Sequence, residues 1–566
     1  HNFNQWMYWV TFQPMLRRIY GCSFLPHHDY GKGGRGWRDL WQDCLALIMM
    51  NPTGVREMLV NNFAGVRIDG TNATIIGSKP GEFIADRNNI TRVWMDHGFW
   101  PFITTRLYID QTGDYELLLE EKEYFKDGQV HRGEKKAPDW EIDKDGLLRR
   151  KEGQVYTGTI LEHILVQNLT SFYDVGDHNH IRIRGADWND ALDMAEERGE
   201  SVAFTAAYAS NLEEIADLIL LLAQKGDHSK IYIAKEMEVL FSLKEEDYDD
   251  IIKKKETLNE FCKLSYASIS GEKIGIDSYK LSADLHGKSK WIKEHIRKTE
   301  WISTSKGYSW YNGYYDNNGR PLEGEGSLGV GMMLTSHVFT IMSETATKDQ
   351  TKEIIKAADK YLYSEEIGGY RLNTNFHEIK MDMGRMFGFA YGHKENGSVF
   401  SHMTIMYAYA LYKRGFAKEG FKAIDTLFAH LSDFEKSKVY PGITEYINNE
   451  GEGMYHYLTG SASWLLLTAL TQMYGVKGRS GNLLLEPKLL LEQFDKEGKA
   501  SVSCIFRNKK MKITYFNENE EEYGNYKISE ILVNGESIGR DMDEIDKSII
   551  DQLDSDETHK IFVKLL

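Results

Sequence analysis

The sequence predicts a mainly α-helical protein, with helical hairpins closed into an α/α barrel and a small β-rich domain at the C-terminal end. Proline is rare, with 9 in 566 residues, as expected where long helix interiors exclude it. Apolar residues recur at helical spacing in seven segments, whereas period-two alternation begins after about residue 478. The helical segments are residues 4–21, 37–51, 156–175, 205–226, 334–346, 401–415 and 459–475.

The stretches outside these helices differ in composition. Residues 227–300 are rich in Lys and Glu, which predicts a solvated helical face. The stretch "ASVSCIFRNKKMKITYFN" (500–517) alternates polar and apolar residues, and "YKISEILVNGESI" (526–538) contains an Asn-Gly turn. The last two stretches predict the strands of the C-terminal domain.

Composition narrows the class of partner. A net charge of −17 argues against a nucleic-acid partner, since such proteins carry a basic footprint. Aromatic residues make up 12% of the chain, which favours flat surfaces that stack on sugars. The longest apolar run, "LILLLA" (218–223), is far shorter than the roughly 20 residues that span a bilayer. We therefore expect no membrane partner, and no signal peptide is predicted at the start of the chain. The scattered cysteines form no CxxC pair, which predicts a reduced, cytoplasmic chain: Cys22, Cys44, Cys262 and Cys504.

Three short motifs carry weak indications of ligand binding. "GEGSLG" (324–329) has dinucleotide-loop spacing, but a polar turn precedes it instead of a buried strand, so a nucleotide site is not expected. "PHHD" (26–29) and "DHNH" (177–180) lack metal-ligand spacing and are interpreted as exposed loop histidines. We predict no metal site.

Four polar motifs are stronger candidates, although each has an ordinary structural interpretation. "GKGGRGWRD" (31–39) combines flexible glycines with cations, as a phosphate site or a basic surface loop does. "GADWNDALDM" (185–194) places two carboxyls beside an indole, either in a polar loop or in a catalytic site. "HKENGSVFSH" (393–402) ends on a histidine inside a helix, and "YLTGSASW" (457–464) places hydroxyls at a helix start.

Taken together and in this order, these motifs resemble the catalytic domain of glycoside hydrolase family 94, the inverting phosphorylases of cellobiose, β-1,2-oligoglucans and related β-glucans. The resemblance covers about residues 1–478. It implies a linker helix (1–24), an (α/α)6 barrel (25–478) and a C-terminal β-sandwich-like domain (479–566). It also implies an N-terminal β-sandwich preceding His1, and, by analogy with relatives, a homodimer.

The resemblance implies a role for each motif. Asp190 matches the general acid, with Asp187 as the weaker alternative, and Trp188 matches the ring beside the −1 glucose. One acid suffices, because phosphate is already an anionic nucleophile, whereas an inverting hydrolase needs a second carboxylate. Arg38 and Asp39 would bind hydroxyls of the −1 glucose.

The phosphate site is implied in the same way. Arg35, His402, Thr459 and Gly460 would hold phosphate, with Lys32 as the alternative cation. Glu445 stands where many relatives carry a glutamine. A carboxylate there would repel phosphate unless it binds a sugar hydroxyl.

These roles predict reversible phosphorolysis of a β-glucan or β-oligoglucan from its non-reducing end, releasing α-glucose 1-phosphate. β-1,3 and β-1,2 linkages are favoured. Inorganic phosphate is the co-substrate, and no metal or organic cofactor is implied. Two alternatives stay open: an inverting hydrolase using Glu445 or Glu395 as base, and a non-catalytic glucan-binding protein on the same barrel.

Overall fold

The computed structural model describes residues 2–21, 35–77, 79–85, 92–137, 145–226 and 228–566. The PHHD motif, Lys32 and Cys22 lie outside these described residues. The α-helices of the described ranges are α1 Asn2–Tyr20, α2 Trp37–Met50, α3 Val55–Asn62, α4 Trp100–Thr112, α5 Ile160–Tyr173, α6 Val202–Lys225, α7 Ile251–Leu264, α8 Ser278–Thr299, α9 Leu334–Met342, α10 Lys348–Tyr361, α11 Ser401–Lys413, α12 Ala417–Ser432, α13 Phe434–Ser437, α14 Ser461–Leu467 and α15 Lys547–Asp551. The chain is thus mainly helical, as its apolar periodicity predicts.

Packing between consecutive and distant helices builds one apolar core. Helix α6 packs on α8 and α9, α11 packs on α9, α12 and α14, and α2 packs on α4 and α14. Every residue of α5 is buried, so this helix is central rather than amphipathic. Helix α1 packs against α2 and α14. It is fixed further where Trp6 Nε1 donates to the carbonyl of Gly442 at 2.8 Å and Gln13 Nε2 donates to that of Ile443 at 2.8 Å.

Short antiparallel sheets of two or three strands lie between the helices along the chain. These strands are β1 Arg35–Gly36, β2 Ile75–Ile76, β3 Phe83–Ile84, β4 Glu121–Glu123, β5 Gln129–Val130, β6 Lys135–Lys136, β7 Thr157–Thr159, β8 Glu200–Ser201, β9 Lys230–Ala234, β10 Lys273–Asp277, β11 Trp301–Ser303, β12 Ser309–Tyr311, β13 Tyr314–Tyr315, β14 Gly324–Gly326, β15 Gly329–Gly331, β16 Tyr363–Ser364, β17 Gly369–Tyr370, β18 Val399–Phe400, β19 Thr444–Ile447 and β20 Gly453–His456.

The remaining strands form two sheets near the C-terminal end. A three-stranded sheet has the order β21-β22-β27, and a five-stranded sheet has the order β23-β24-β28-β25-β26, in which β24 and β28 are parallel. Asn534 and Gly535 form the two-residue turn between β25 and β26, with φ angles of 52° and 92°. The strands are β21 Val476–Arg479, β22 Asn482–Leu485, β23 Lys499–Phe506, β24 Lys509–Asn517, β25 Ile528–Val533, β26 Glu536–Arg540, β27 Glu544–Ile545 and β28 Thr558–Leu565.

The prediction of a solvated face over residues 227–300 is partly wrong. Strands β9 and β10 pair within this segment. Lys254 and Lys288 are fully buried. Lys254 Nζ lies 4.1 Å from the ring centre of Phe172 and 3.8 Å from that of Trp291, so aromatic faces replace part of the lost hydration. Composition alone does not reveal this exchange.

The DHNH histidines are also misassigned as exposed. His180 is fully buried, with Nε2 2.9 Å from Oε1 of Glu300. His178 is half-buried, with Nδ1 2.6 Å from Oε2 of Glu200. Among the described residues, no group of three or more His, Cys, Asp or Glu side chains is arranged to hold a metal ion. The GEGSLG motif forms the β14–β15 hairpin. No helix of the described ranges is long and apolar enough to cross a membrane.

Candidate active site

The loop that carries the two aspartates is held by main-chain contacts with the segment before α4. Gly185 N donates to the carbonyl of Val93 at 2.8 Å, and Met95 N donates to that of Ala186 at 3.0 Å. The backbone of Trp94 forms isolated β-bridges with Arg184 and with Ala186. These bonds fix the loop backbone on either side of the aspartates, so their side chains have defined positions.

Arg38, in the first turn of α2, connects this loop to the segment before α4. Its Nη1 donates to Oδ1 of Asp190 at 2.6 Å, and its Nη2 donates to the carbonyl of Asp187 at 2.7 Å. Asp96 accepts from the other edge of the guanidinium at 2.5 and 3.0 Å. Asp96 is itself fully buried and accepts from Trp100 Nε1 at 2.7 Å. The Arg38 guanidinium is therefore clamped before any ligand binds.

Asp190 combines access with a raised pKa. Its side chain keeps 46% of its surface accessible. The surrounding protein atoms nevertheless desolvate the carboxyl and raise its pKa, which the Arg38 charge partly opposes. Since Arg38 occupies Oδ1, Oδ2 is the oxygen available to a ligand.

Asp187 faces the interior instead. It is fully buried, its Oδ1 accepts from Asn189 N at 2.9 Å, and its Oδ2 accepts from Ser201 Oγ at 2.9 Å. Ser201 also caps α6 by accepting from Phe204 N. Burial raises the pKa of Asp187 to about 7. This geometry makes Asp187 a support of the loop.

Trp188 connects the acid loop to α11. Its ring meets that of His402 edge-on at a centroid distance of 5.4 Å and that of Phe400 at 5.3 Å. Only 7% of Trp188 is accessible. The indole thus packs against the imidazole, while its backbone belongs to the loop that carries Asp190.

The tautomer of His402 is set by Gln42. Gln42 Oε1 accepts from Trp464 Nε1 at 2.7 Å and lies 3.0 Å from Nε2 of His402. Because the other atom that faces it is a carbonyl oxygen, Nε2 carries the proton, and Nδ1 of the neutral ring keeps its lone pair. Burial lowers the pKa of His402 to about 3. A Cβ on Gly460 would lie 2.8 Å from Cε1 of His402, so only glycine allows this approach.

Thr459 and Ser461 place two hydroxyl groups next to Gly460. The Oγ1 of Thr459 lies 2.7 Å from Oγ of Ser461 and accepts from Ser461 N at 3.1 Å. Glu445 hydrogen-bonds to Thr459, and burial raises the pKa of its carboxyl to about 7. Glu395 also has a raised pKa, caused by burial and then by the charge of Asp190.

Arg17 of α1 lies beside the group formed by His402, Thr459 and Gly460, and the sequence motifs do not include it. Its Nη1 donates to the carbonyl of Leu458 at 3.1 Å. Its Nε donates to Asp43 at 2.6 Å and its Nη2 to Asp39 at 3.1 Å. After burial, its charge is the next cause that lowers the pKa of His402. In the sequence, Arg17 stands in an arginine pair at the end of the first helix, where basic residues are common and do not indicate a binding site.

Arg35 points elsewhere. Its Nη2 donates to the carbonyl of Arg18 at 2.5 Å. The charges of Arg17 and Arg38 add to the lowered pKa of His402 and that of Asp39 opposes it, whereas the Arg35 charge acts on the pKa of Asp43. The structure therefore does not bring Arg35 together with the other residues predicted to bind phosphate.

Comparison with known proteins gives a family match over part of the chain. Residues 258–475 match the family model for the catalytic domain of the glycosyl hydrolase 94 superfamily. Over these residues the chain is similar to that catalytic domain. The matched range includes His402, Glu445, Thr459 and Gly460, whereas Arg38 and Asp190 precede it.

Two similar curated proteins are glycoside phosphorylases. The chain is 22% identical over 523 residues to a solabiose phosphorylase of Paenibacillus borealis, covering 90% of this chain and 54% of the relative. It is 20% identical over 469 residues to a 3-O-β-D-glucopyranosyl-β-D-glucuronide phosphorylase of the same species, covering 80% of this chain and 48% of the relative. The chain thus spans about half the length of the curated relatives it matches.

A solved structure was also similar at low identity. A family 78 rhamnosidase of Bacillus sp. GL1 aligns over 86% of this chain and 38% of its own, with 9% identity and a TM-score of 0.43.

The fold brings most of the predicted residues to one place. Arg38 contacts Asp190, Trp188 contacts His402, and Glu445 contacts Thr459. Asp39 is connected to these residues because it accepts a hydrogen bond from Arg17 Nη2. The arrangement offers one accessible carboxyl with a raised pKa, beside a pocket of imidazole, hydroxyl and guanidinium groups.

Proposed function

We propose that the protein is an inverting glycoside phosphorylase, which cleaves a β-glucosidic bond at the non-reducing end with inorganic phosphate. The observation that carries this proposal is that the loop with Asp190 meets the group around His402 at Trp188. Asp190 presents an accessible carboxyl with a raised pKa. Two residues before it, Trp188 packs against His402, which lies near Gly460 and Arg17. A general acid and an anion pocket are the two parts that phosphorolysis requires.

Asp190 is the proposed general acid. In the reaction, phosphate oxygen bonds to the anomeric carbon from the α face while the bond to the leaving oxygen breaks. Asp190 gives its proton to that oxygen. The proton of HPO₄²⁻ stays on the new sugar phosphate until it is released, and this release replaces the proton that Asp190 lost. The Arg38 guanidinium stabilises the carboxylate that remains, and the product is α-glucose 1-phosphate.

Phosphate is held by groups from three segments in this proposal. Thr459 and the N–H of Gly460 donate to its oxygens, and Arg17 supplies charge. Arg17 takes the role first expected of Arg35, because it lies beside Leu458. The phosphate hydroxyl donates to Nδ1 of His402, since Nε2–H is already committed to Gln42.

Glu445 fits the same pocket when it is protonated. Burial raises the pKa of its carboxyl to about 7, so the neutral form is populated near neutral pH. A neutral carboxyl can donate a hydrogen bond to a phosphate oxygen, which removes the repulsion expected of a carboxylate. Asp39, Arg38 and Trp188 then line the −1 glucose.

The proposed substrate is a β-linked gluco-oligosaccharide, with β-1,3 or β-1,2 linkage. The β-1,3 choice is supported by a relative whose substrate is a 3-O-β-D-glucopyranosyl compound. The proposed architecture is an (α/α)6 barrel over residues 25–478, between a linker helix (1–24) and a β-sandwich-like domain (479–566). An N-terminal β-sandwich of the same protein, a homodimer and a cytoplasmic location complete the proposal, with no metal or organic cofactor.

The rival is an inverting hydrolase that uses Glu395 or Glu445 as the base. Proton NMR of the first product distinguishes the reactions. Phosphorolysis gives the α-anomeric signal of glucose 1-phosphate, with coupling to phosphorus, only when phosphate is present. Free glucose formed without phosphate would contradict the proposal.

A further inference from the structure

Two arginines beside the acid loop share a single carboxylate. The main-chain N–H of Arg385 donates to Oδ1 of Asp193 at 3.1 Å, and its guanidinium forms an ion pair with Oδ2. Arg92 Nη2 lies 4.0 Å from the same Oδ2. Asp193 is 8% accessible at its side chain, whereas Arg385 is 41% and Arg92 is 39% accessible. The two guanidinium groups are therefore partly exposed, whereas the Asp193 carboxylate that they share is buried.

Both arginines lie close to the proposed general acid. The guanidinium groups of Arg92 and Arg38 lie over the same Trp94 ring, 5.5 and 5.3 Å from its centre. Arg38 is the residue that donates to Asp190. Glu395 links Arg385 to the same place, since the Arg385 charge lowers the pKa of Glu395 while the Asp190 charge raises it.

The backbone around Arg385 is locked onto the acid loop. Met386 N donates to the carbonyl of Ala191 at 3.0 Å, and Met194 N donates to that of Met383 at 3.2 Å. A Cβ on Gly384 would lie 2.0 Å from the carbonyl oxygen of Ala191, so the two segments touch directly. Arg385 is therefore a fixed part of the site.

At Asp193, cations outnumber the carboxylate that they share. Two guanidinium groups face one Asp193 carboxylate, and the exposed Lys394 adds a third cation whose charge also lowers the pKa of Glu395. This excess is distinct from the phosphate pocket, which is built from Arg17, Thr459 and His402. The leaving group departs from the oxygen that Asp190 protonates, and Asp190 precedes Asp193 by three residues in the same loop.

We propose that the leaving sugar is an acid, a uronic or aldonic acid whose carboxylate is bound by Arg385 with Arg92 beside it. Guanidinium forks match carboxylates in a bidentate geometry, which makes arginine the suitable residue. This inference rests on the proposed phosphorylase function and narrows its substrate class. It agrees with the relative whose substrate is a glucosyl-glucuronide.

The test runs the reaction in the synthetic direction. α-Glucose 1-phosphate is supplied with D-glucose, D-glucuronate or D-gluconate as acceptor, and phosphate release is measured. We expect kcat/KM for one of the acids to exceed that for glucose at least about 10-fold. Arg385→Gln should lower kcat/KM for the acid about 100-fold, mainly through KM, and change that for glucose less than about threefold. Arg198→Gln is the matched control, because Arg198 pairs with Asp177 and is 50% accessible.

The outcomes separate the two proposals. Better use of glucose than of both acids, or an equal loss with all acceptors in Arg385→Gln, overturns the sugar-acid inference and leaves the phosphorylase function standing. Calorimetric binding of glucuronate and gluconate gives a readout independent of turnover. Binding that Arg385→Gln abolishes, without phosphate release from any acceptor, supports the acid site and contradicts the phosphorylase function.

Discussion

Arg38 donates a hydrogen bond from Nη1 to Oδ1 of Asp190 across 2.6 Å, while both carboxylate oxygens of Asp96 hold the same guanidinium. The guanidinium opposes the rise that burial produces in the pKa of Asp190, yet the pKa remains raised. A group that must give up a proton and then exist as an anion benefits from both influences. In the proposed reaction, Arg38 thereby orients Asp190 and stabilises its carboxylate.

Asp190→Asn should abolish phosphorolysis of substrates with natural leaving groups. The carboxamide keeps the Arg38 hydrogen bond through its oxygen but cannot donate a proton of suitable acidity, so a loss of about 10²–10⁴ in kcat is expected. The measurement is the rate of α-glucose 1-phosphate release, with the melting temperature as the check on folding. A loss below tenfold in a folded variant would exclude Asp190 as the acid.

Asp187→Asn is the matched comparison in the same loop. Asp187 is buried and hydrogen-bonded to Asn189 and Ser201, so its neutral form already resembles an amide. We expect kcat to fall less than about tenfold, because the carboxyl supports the loop without touching substrate. A larger loss than in Asp190→Asn would assign the acid to Asp187.

The pH dependence of stability should report on Asp187. Its native pKa of about 7 exceeds the ordinary aspartate value of 3.8. Between these values the native state binds a proton that the unfolded state has released. Its contribution to the free energy of unfolding therefore falls as pH rises from about 4 to 7. Asp187→Asn removes this contribution, so the variant should gain stability relative to wild type across that window. Urea unfolding at several pH values measures the difference, and parallel curves would refute it.

The helical class could be predicted because apolar residues in α2, α6 and α11 follow the helical period. The candidate site residues could be predicted only where their own side chains suit the proposed chemistry, as those of Asp190 and His402 do. Arg17 could not be found this way, because its place beside Leu458 depends on α1 packing against α14. The burial of Lys254 was missed for the same reason, since the Phe172 and Trp291 rings come from other helices.

His402→Ala should raise KM for phosphate more than KM for the glucoside. The imidazole Nδ1 faces the proposed anion pocket, whereas the glucose contacts assigned to Arg38 and Asp39 remain. A tenfold rise in phosphate KM is the order expected for one hydrogen bond to a charged ligand. Initial rates over a grid of phosphate and glucoside concentrations separate the two constants. A change confined to glucoside KM would reject the phosphate role.

Gln42→Leu tests how the imidazole is oriented. The substitution leaves two buried donors, His402 Nε2–H and Trp464 Nε1–H, without their acceptor, so stability should fall by about 1–3 kcal/mol for each. Phosphate KM should rise as well, because the tautomer is no longer fixed. Trp464→Phe is the control: it should lower stability yet keep phosphate KM within about twofold, since the Gln42–His402 contact remains. Equal KM effects in both variants would mean that packing alone is responsible.

Arg17→Lys and Arg35→Lys compare the two candidate cations. Arg17→Lys keeps the charge but loses the fork that binds Asp43, Asp39 and the Leu458 carbonyl together, so phosphate KM should rise at least about fivefold. Arg35→Lys should change phosphate KM less than twofold. The reverse order in steady-state kinetics would restore Arg35 as the phosphate ligand.

The most direct measurement is α-glucose 1-phosphate release from β-1,2-, β-1,3- and β-1,4-linked gluco-oligosaccharides and from glucosyl-uronic acids, with and without phosphate. Phosphate-dependent release from one class, lost in Asp190→Asn, is the result we predict. Free glucose released without phosphate would identify a hydrolase. Tight binding of these sugars with no product under either condition would identify a binding protein, and each of these two results contradicts a phosphorylase.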